Sequence, residues 1–206
     1  MNSALFLALA SIHIAAVMTP GANFLTVTQN ALSYSRRSGL LTVGGVATGS
    51  SLYVTAGIIG FAAVISQSPL IYNGIRVVGA LYFTRMGWGL LKRTPRLAGI
   101  VDSDTPPLDM SYSGAYRSGF MTAIANPASA LYFLSIFTTF IPLTSTLSDK
   151  VLAGLLLVTI TLTWYTSVAM LFSYSRVRAL YRRAEIGMNR LFGVIWLLLA
   201  VKLLAG

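Results

Sequence analysis

Six runs of apolar residues, at 4–32, 40–65, 70–91, 120–141, 151–172 and 191–204, make up most of this 206-residue chain. A helix needs roughly 20 residues to cross the hydrocarbon core of a bilayer, and each run approaches that length, the last with the help of weakly polar residues before Leu191. Within hydrocarbon a segment must satisfy its own backbone hydrogen bonds, so such runs fold as helices. The expected fold is an all-α polytopic membrane protein with six transmembrane helices. Composition agrees: 55% of residues are hydrophobic and only 10% charged, too apolar for an ordinary soluble domain. Although Ala8-Leu9-Ala10 resembles a signal-peptide cleavage site, no Lys or Arg precedes the first run and the apolar pattern continues well beyond it.

Two prolines lie deep inside these runs, in Met18-Thr19-Pro20-Gly21-Ala22-Asn23 and in Ala125-Asn126-Pro127. A proline in a helix interior deletes one backbone hydrogen bond and clashes with the carbonyl four residues back, here Ala16 and Ala123. Lipid offers the exposed groups nothing, so they must face a partner or a wet cavity. Broken helices in corresponding places of two halves point to a substrate site at the membrane midplane of a secondary transporter. Pro20 lies fifteen residues before Ser35 and Pro127 fifteen before Pro142, which sets the two breaks at corresponding depths.

Charge distribution sets the topology. Arg36 and Arg37 separate runs one and two; Lys92, Arg93, Arg96 and Arg117 separate three and four; Arg176, Arg178, Arg182, Arg183 and Arg190 separate five and six. All of these connections fall on one side, whereas the other side carries only Lys150 and Lys202. The positive-inside rule then makes the basic side cytoplasmic and puts both termini outside the cytoplasm. The net charge of +10 reads as anchoring to anionic lipid rather than to nucleic acid. The connection from Lys92 to about Arg117, with Asp102, Asp104, Pro106, Pro107 and Asp109, reads as a cytoplasmic linker. It divides a single transporter domain, residues 1–206, into halves at about 1–92 and 112–206. Each half has three spans, so the second crosses in the opposite sense: a 3+3 inverted repeat with helices one and four broken.

Thr19-Pro20-Gly21-Ala22-Asn23, Arg36-Arg37-Ser38-Gly39, Gly79-Ala80-Leu81-Tyr82 and Ala125-Asn126-Pro127, in this order and spacing, resemble the LysE/RhtB family of bacterial amino-acid exporters. The resemblance covers essentially the whole chain. Ile12-His13-Ile14 and Leu162-Thr163-Trp164-Tyr165 are similar to the homoserine and threonine efflux branch. It implies an inner-membrane antiporter that expels amino acids using the proton gradient. The family usually has a second proline where this chain has Ala22, which restores an N–H, but Pro20 and Gly21 should still interrupt the helix. Arg85 is a second departure, standing where the family usually has an uncharged residue; its stem is long enough to snorkel to the interface.

An amino acid presents a carboxylate and an ammonium. Free N–H groups after Pro20-Gly21 suit the carboxylate. Carbonyls near Ala16 and Ala123, with the amides of Asn23 and Asn126, suit the ammonium; both asparagines could instead cap their own broken helices. Hydroxyl stripes at Thr159, Thr163 and Thr166 and at Thr48, Ser51 and Thr55 share helix faces expected to turn inward, which adds Thr163 to the substrate candidates Pro20, Gly21, Asn23, Asn126 and Pro127. Serine and threonine in membranes also bond to their own helix carbonyls. Gly45 and Gly49 form a small-xxx-small packing pair. Trp88 reads as an interfacial anchor, and Trp164 and Tyr165 as deeper residues able to line a cavity. All five acidic residues, Asp102, Asp104, Asp109, Asp149 and Glu185, fall in connections or at span ends, so a cationic side chain would find no buried counter-charge and a neutral amino acid such as threonine or homoserine is expected. Arg76 either contacts the carboxylate or snorkels. His13, the one histidine, is the only side chain in a span that ordinarily titrates near physiological pH, and is the candidate for proton coupling.

The absence of cysteine removes disulfide, thiolate-metal and dithiol redox chemistry. A zinc hydrolase would need a ligand cluster and a serine hydrolase a G-x-S-G setting with a late histidine, and the chain has neither. No enzyme activity, cofactor or metal is expected. A noncatalytic membrane scaffold or partner subunit is the competing class, and it leaves the paired breaks unexplained. Gly-rich faces are compatible with a homodimer and equally with packing inside one chain.

Overall fold

The computed structural model describes residues 3–61, 69–92, 110–142, 144–172 and 174–205, so the linker at 93–109 lies outside the described residues. All regular structure among them is helical. In chain order the helices are α1 (Ser3–Met18), α2 (Ala22–Ser33), α3 (Arg36–Ala56), which runs into a π turn at Gly57–Phe61, α4 (Pro69–Leu91), α5 (Tyr112–Ala125), α6 (Pro127–Phe140), α7 (Leu147–Leu171) and α8 (Ser175–Ala205). By length and composition α3, α7 and the Arg183–Lys202 part of α8 each suffice to cross a membrane. Two further spans are bent pairs, α1 with α2 at 53° and α5 with α6 at 59°. At 1.5 Å per residue, the 23 residues of α4 have the length for the sixth. The protein is a multi-pass membrane protein with its first and fourth spans broken at the two prolines.

Helix starts follow local capping chemistry. Ser35 accepts from the Ser38 N–H at 3.0 Å, Ser111 from Gly114 at 3.1 Å and Thr146 from Asp149 at 3.2 Å, which fixes the first turns of α3, α5 and α7. Two boundaries differ from the sequence reading. The fourth span begins at Tyr112, so Arg117 lies in α5 rather than in a linker. The basic run after span five is not a loop either: Arg176 to Arg190 belong to α8, because Arg, Ala, Leu and Glu are good helix formers and nothing in 175–190 breaks the pattern.

Glycines set the closest helix contacts. A Cβ on Gly45 would collide with the Tyr116 carbonyl, and one on Gly119 with the Thr42 carbonyl, so α3 and α5 touch backbone to backbone. Gly49 meets the Ala123 Cβ in the same seam. The small-xxx-small pair therefore packs within one chain. Between α4 and α8 the approach is reciprocal: a Cβ on Gly87 would lie 2.7 Å from the Gly193 carbonyl oxygen, and one on Gly193 2.9 Å from that of Gly87.

Arg36 sits 4.9 Å over the Tyr174 ring, and Arg37 lies over Tyr112 while donating to its hydroxyl at 3.0 Å. These contacts gather the starts of α3 and α5 and the turn before α8 at one end, as the charge pattern requires. At the opposite end Lys202 lies over Phe140. Trp88 is exposed with Lys92 over its ring, and the Arg85 side chain is also exposed, arrangements that suit an interfacial anchor and a snorkelling cation. The Arg76 side chain lies outside the described residues.

Candidate functional site

The two breaks and four neighbouring helices line a partly open cavity of about 110 Å³. Thr19, Gly21 and Asn23 line it from the first break, Asn126 and Ser129 from the second, and His13, Ser50, Tyr82, Met86, Tyr132, Thr161, Tyr165 and Trp196 from the surrounding walls. No Asp, Glu, Lys or Arg lines it among the described residues, so its polarity comes from amides, hydroxyls and one imidazole.

The break at Pro20 is closed upstream and open downstream. Thr19 ends α1 by donating its N–H to the Ala15 and Ala16 carbonyls, at 3.1 and 3.2 Å, and its hydroxyl to Ala15 at 2.8 Å. The Ala16 carbonyl expected to be free for an ammonium is thus taken by the residue just before the proline. Trp196 of α8 donates its indole N–H to the Thr19 hydroxyl at 3.0 Å, fixing the break to the opposite half. Downstream, Gly21 stands at the N-cap of α2 with no side-chain cap. Its φ of −124° is extended and open to any residue, so it serves the site by presenting no side chain. Asn23 Oδ1 is buried beside it with no hydrogen bond of ordinary geometry among the described residues, although the Tyr165 hydroxyl is near enough to influence it.

The break at Pro127 satisfies itself. Asn126 ends α5 and caps α6, its Oδ1 accepting the Ala128 N–H at 3.0 Å. Pro127 occupies the first turn of α6, where a missing N–H costs nothing. Tyr53 of α3 donates to the Ile124 carbonyl at 2.6 Å. Capping is therefore part of the role of Asn126, whose side chain also reaches the cavity wall.

His13 ties three helices together. Its Nδ1 lies 2.8 Å from the Tyr132 hydroxyl of α6 and its Nε2 2.9 Å from the Thr161 hydroxyl of α7, and the residue is only 2% exposed. A neutral ring donates at one nitrogen and accepts at the other, whereas a cation donates at both. Hydroxyls can do either, so this frame accommodates both forms by the turning of one O–H.

Of the residues singled out in the sequence, Gly21, Asn23, Asn126 and His13 line one cavity, Pro20 is not among its lining residues, and α6 beginning at Pro127 supplies Ser129 and Tyr132. Thr163 does not join them. It lies exposed on the outer face of α7, as does Thr159, while the buried face of that helix runs through Leu157, Thr161 and Tyr165. Thr48 and Thr55 are likewise exposed, and Thr48 and Ser51 bond their own helix carbonyls at Gly44 and Ala47. Hydroxyls satisfied in this way can face lipid, which is why the stripes pointed to the wrong face. Tyr165 lines the cavity as expected, and Trp164 does not. Glu185 is a further correction: it is 3% exposed on α8, outside the cavity lining but buried. Tyr132, Thr161, Trp196 and Ser50 were missed. The buried-face periodicity of α7, read by bulk rather than polarity, would have found Thr161, and an indole N–H deep in the last span signals a required acceptor.

Residues 14–206 match the family model described as LysE type translocator. The chain is 31% identical over 180 residues to the threonine efflux protein of Escherichia coli K12, an alignment covering 87% of each. It is 30% identical over 187 residues to the uncharacterized membrane protein YahN of the same organism, covering 90% of this chain and 82% of that one. It is 25% identical over 177 residues to the uncharacterized membrane protein YrhP of Bacillus subtilis, covering 82% and 84%. No solved structure matches the chain.

Proposed function

The chain belongs to the LysE type translocator family, and from that premise we propose that it is an inner-membrane secondary transporter, not an enzyme, exporting small neutral amino acids such as threonine or homoserine by proton antiport. The observation that carries this reading is the buried, unsatisfied Asn23 Oδ1 beside the uncapped start of α2, both at one break in a cavity without fixed charge. A zwitterion suits such a place. Its carboxylate takes the N–H groups at the α2 N-terminus, which no side chain caps, and its ammonium donates to Asn23 Oδ1 and relieves the cost of burying it. A cationic side chain would meet no carboxylate among the described residues of the lining.

Proton coupling falls to His13, whose two hydroxyl partners support either protonation state. With both termini periplasmic, protons arriving from outside would reach His13 as substrate leaves. Reconstituted protein loaded with labelled threonine should exchange it for external threonine and concentrate it under an imposed pH gradient. In His13→Gln, exchange should persist and gradient-driven accumulation vanish. Unchanged accumulation would remove His13 from coupling, and Glu185→Gln in the same assay tests the buried carboxylate on α8. For orientation, cysteines at Ser3 and Ala205 should react with an impermeant thiol reagent from the periplasm and one at Ser103 should not.

A further inference from the structure

We propose that Met86, held by Tyr82 on α4, gauges the substrate's side chain and sets the largest neutral amino acid the cavity accepts. The inference rests on the exporter reading above and deepens it. Other walls of the cavity bring polar groups: His13, Thr19 and Asn23 from the first broken span, Ser50 from α3, Ser129 and Tyr132 from α6, Thr161 and Tyr165 from α7. Among the described residues, α4 contributes only Tyr82 and Met86. The Tyr82 hydroxyl donates to the Met86 sulfur at 3.2 Å, so its one polar group is taken up within a single turn of its own helix. What α4 presents is a thioether and a phenol ring. A zwitterion held by its head group at the first break has its side chain left to place, and this wall asks for no hydrogen bond.

The cavity's size makes the gauge matter. One water needs roughly 10–15 Å³ on the measure that gives this cavity about 110 Å³, so it holds on the order of ten small groups, a zwitterionic head and a short side chain. Other apolar walls are pinned. Trp196 is fixed by Thr19 and packed on Phe83 at 5.0 Å and Tyr132 at 6.1 Å, and Phe133 stacks on Tyr53 at 5.8 Å. Met86 is unbranched and only partly buried, so its length can change without rebuilding a core. Its backbone is fixed all the same, because the adjacent Gly87 rests on Gly193, three residues before Trp196 on the facing helix. The gauge is thus an adjustable tip on a rigid mount.

The test is counterflow by the full chain in proteoliposomes, with labelled glycine, alanine, serine, threonine, homoserine, leucine and methionine. Met86→Ala should raise the leucine-to-threonine ratio about tenfold, the scale on which a hydrophobic pocket discriminates one or two methylenes. Met86→Trp should lower the threonine-to-glycine ratio by a similar factor. Tyr82→Phe, which frees the sulfur, should shift the leucine ratio the same way as Met86→Ala by a few-fold. Ratios within one preparation do not depend on how much protein folds, and competition of the unlabelled panel for binding to purified protein gives the same ratios where a variant no longer transports. Ratios unchanged in all three variants overturn the gauge and leave the exporter standing. A wild-type protein that moves none of the panel overturns the exporter reading itself.

Discussion

The two helix breaks look alike in sequence and differ in what they leave undone. Each ends its first helix with satisfied groups, through Thr19 in one case and Tyr53 in the other. The following helices part company. At α6 the Asn126 side chain caps the start, whereas at α2 the capping position holds Gly21 and the nearest amide, Asn23, has a buried oxygen with no bond of ordinary geometry among the described residues. A capped helix start is a finished structural element. An uncapped one beside an orphan acceptor costs stability until a ligand arrives, and that is the expected mark of a binding site. On the proposed reading the pair divides the labour: the break at Pro127 shapes the cavity, and the break at Pro20 binds.

The sharpest way to break this comparison is Asn23→Ala. Removing an unsatisfied buried oxygen should leave the thermal midpoint of the purified protein unchanged or raised, while threonine exchange falls by at least about 100-fold, or roughly 2.7 kcal/mol. If exchange survives, Asn23 is no ligand and the open break has lost its purpose. Next in size is the His13 frame. Thr161→Val keeps the shape but strips His13 Nε2 of its partner, at a cost of about 1–3 kcal/mol, read as a lower midpoint. Thr163→Val, on the exposed face, should stay within about 0.5 kcal/mol and transport normally. Equal behaviour of the two threonines would put the cavity on the wrong face of α7. Smaller again is Asn126→Ala, which removes a cap and should cost about 1 kcal/mol, with exchange reduced only in proportion to folded protein. A large loss of exchange at full stability would make the second break a binding element too.

The sequence made the breaks legible because proline acts on the backbone, through a bond it cannot make wherever the chain goes. The same local logic located Gly21, Asn23 and Asn126, all within three residues of a proline. His13 was legible as the lone imidazole in an apolar run, although its partners Tyr132 and Thr161, 119 and 148 residues away, were not. Helix faces were harder. In a bilayer the outside is as apolar as the packed interior, so polarity does not orient a helix, and the stripe of Thr159, Thr163 and Thr166 was expected to turn inward on a rule that holds in water. The burial of Glu185 was missed for a related reason: the basic residues around it read as a connection anchored to anionic lipid, but α8 continues through them and that carboxylate is buried near one end of the span. Helix packing, not composition, decides such cases.

The smallest expected effect belongs to Gly21→Ala, and it separates two reasons for a glycine at the open break. If glycine is there for its conformational freedom, alanine should strain the backbone and lower stability markedly. The observed φ of −124° and ψ of −170° needs no such freedom, and a Cβ would meet only the Thr19 carbonyl oxygen, at an ordinary 3.8 Å. Alanine is a poorer N-cap than glycine but restricts the unfolded chain more, and the two effects, each of a few tenths to about 1 kcal/mol, oppose each other. The midpoint should therefore move by no more than about 0.5 kcal/mol. The new methyl group does project beside the α2 N–H groups, where a carboxylate would sit. Substrate affinity in counterflow should weaken a few-fold, with the maximal exchange rate nearly unchanged. A stable variant with unaltered affinity would place the carboxylate elsewhere in the cavity and return the open end of α2 to a purely structural role, erasing the difference between the two breaks.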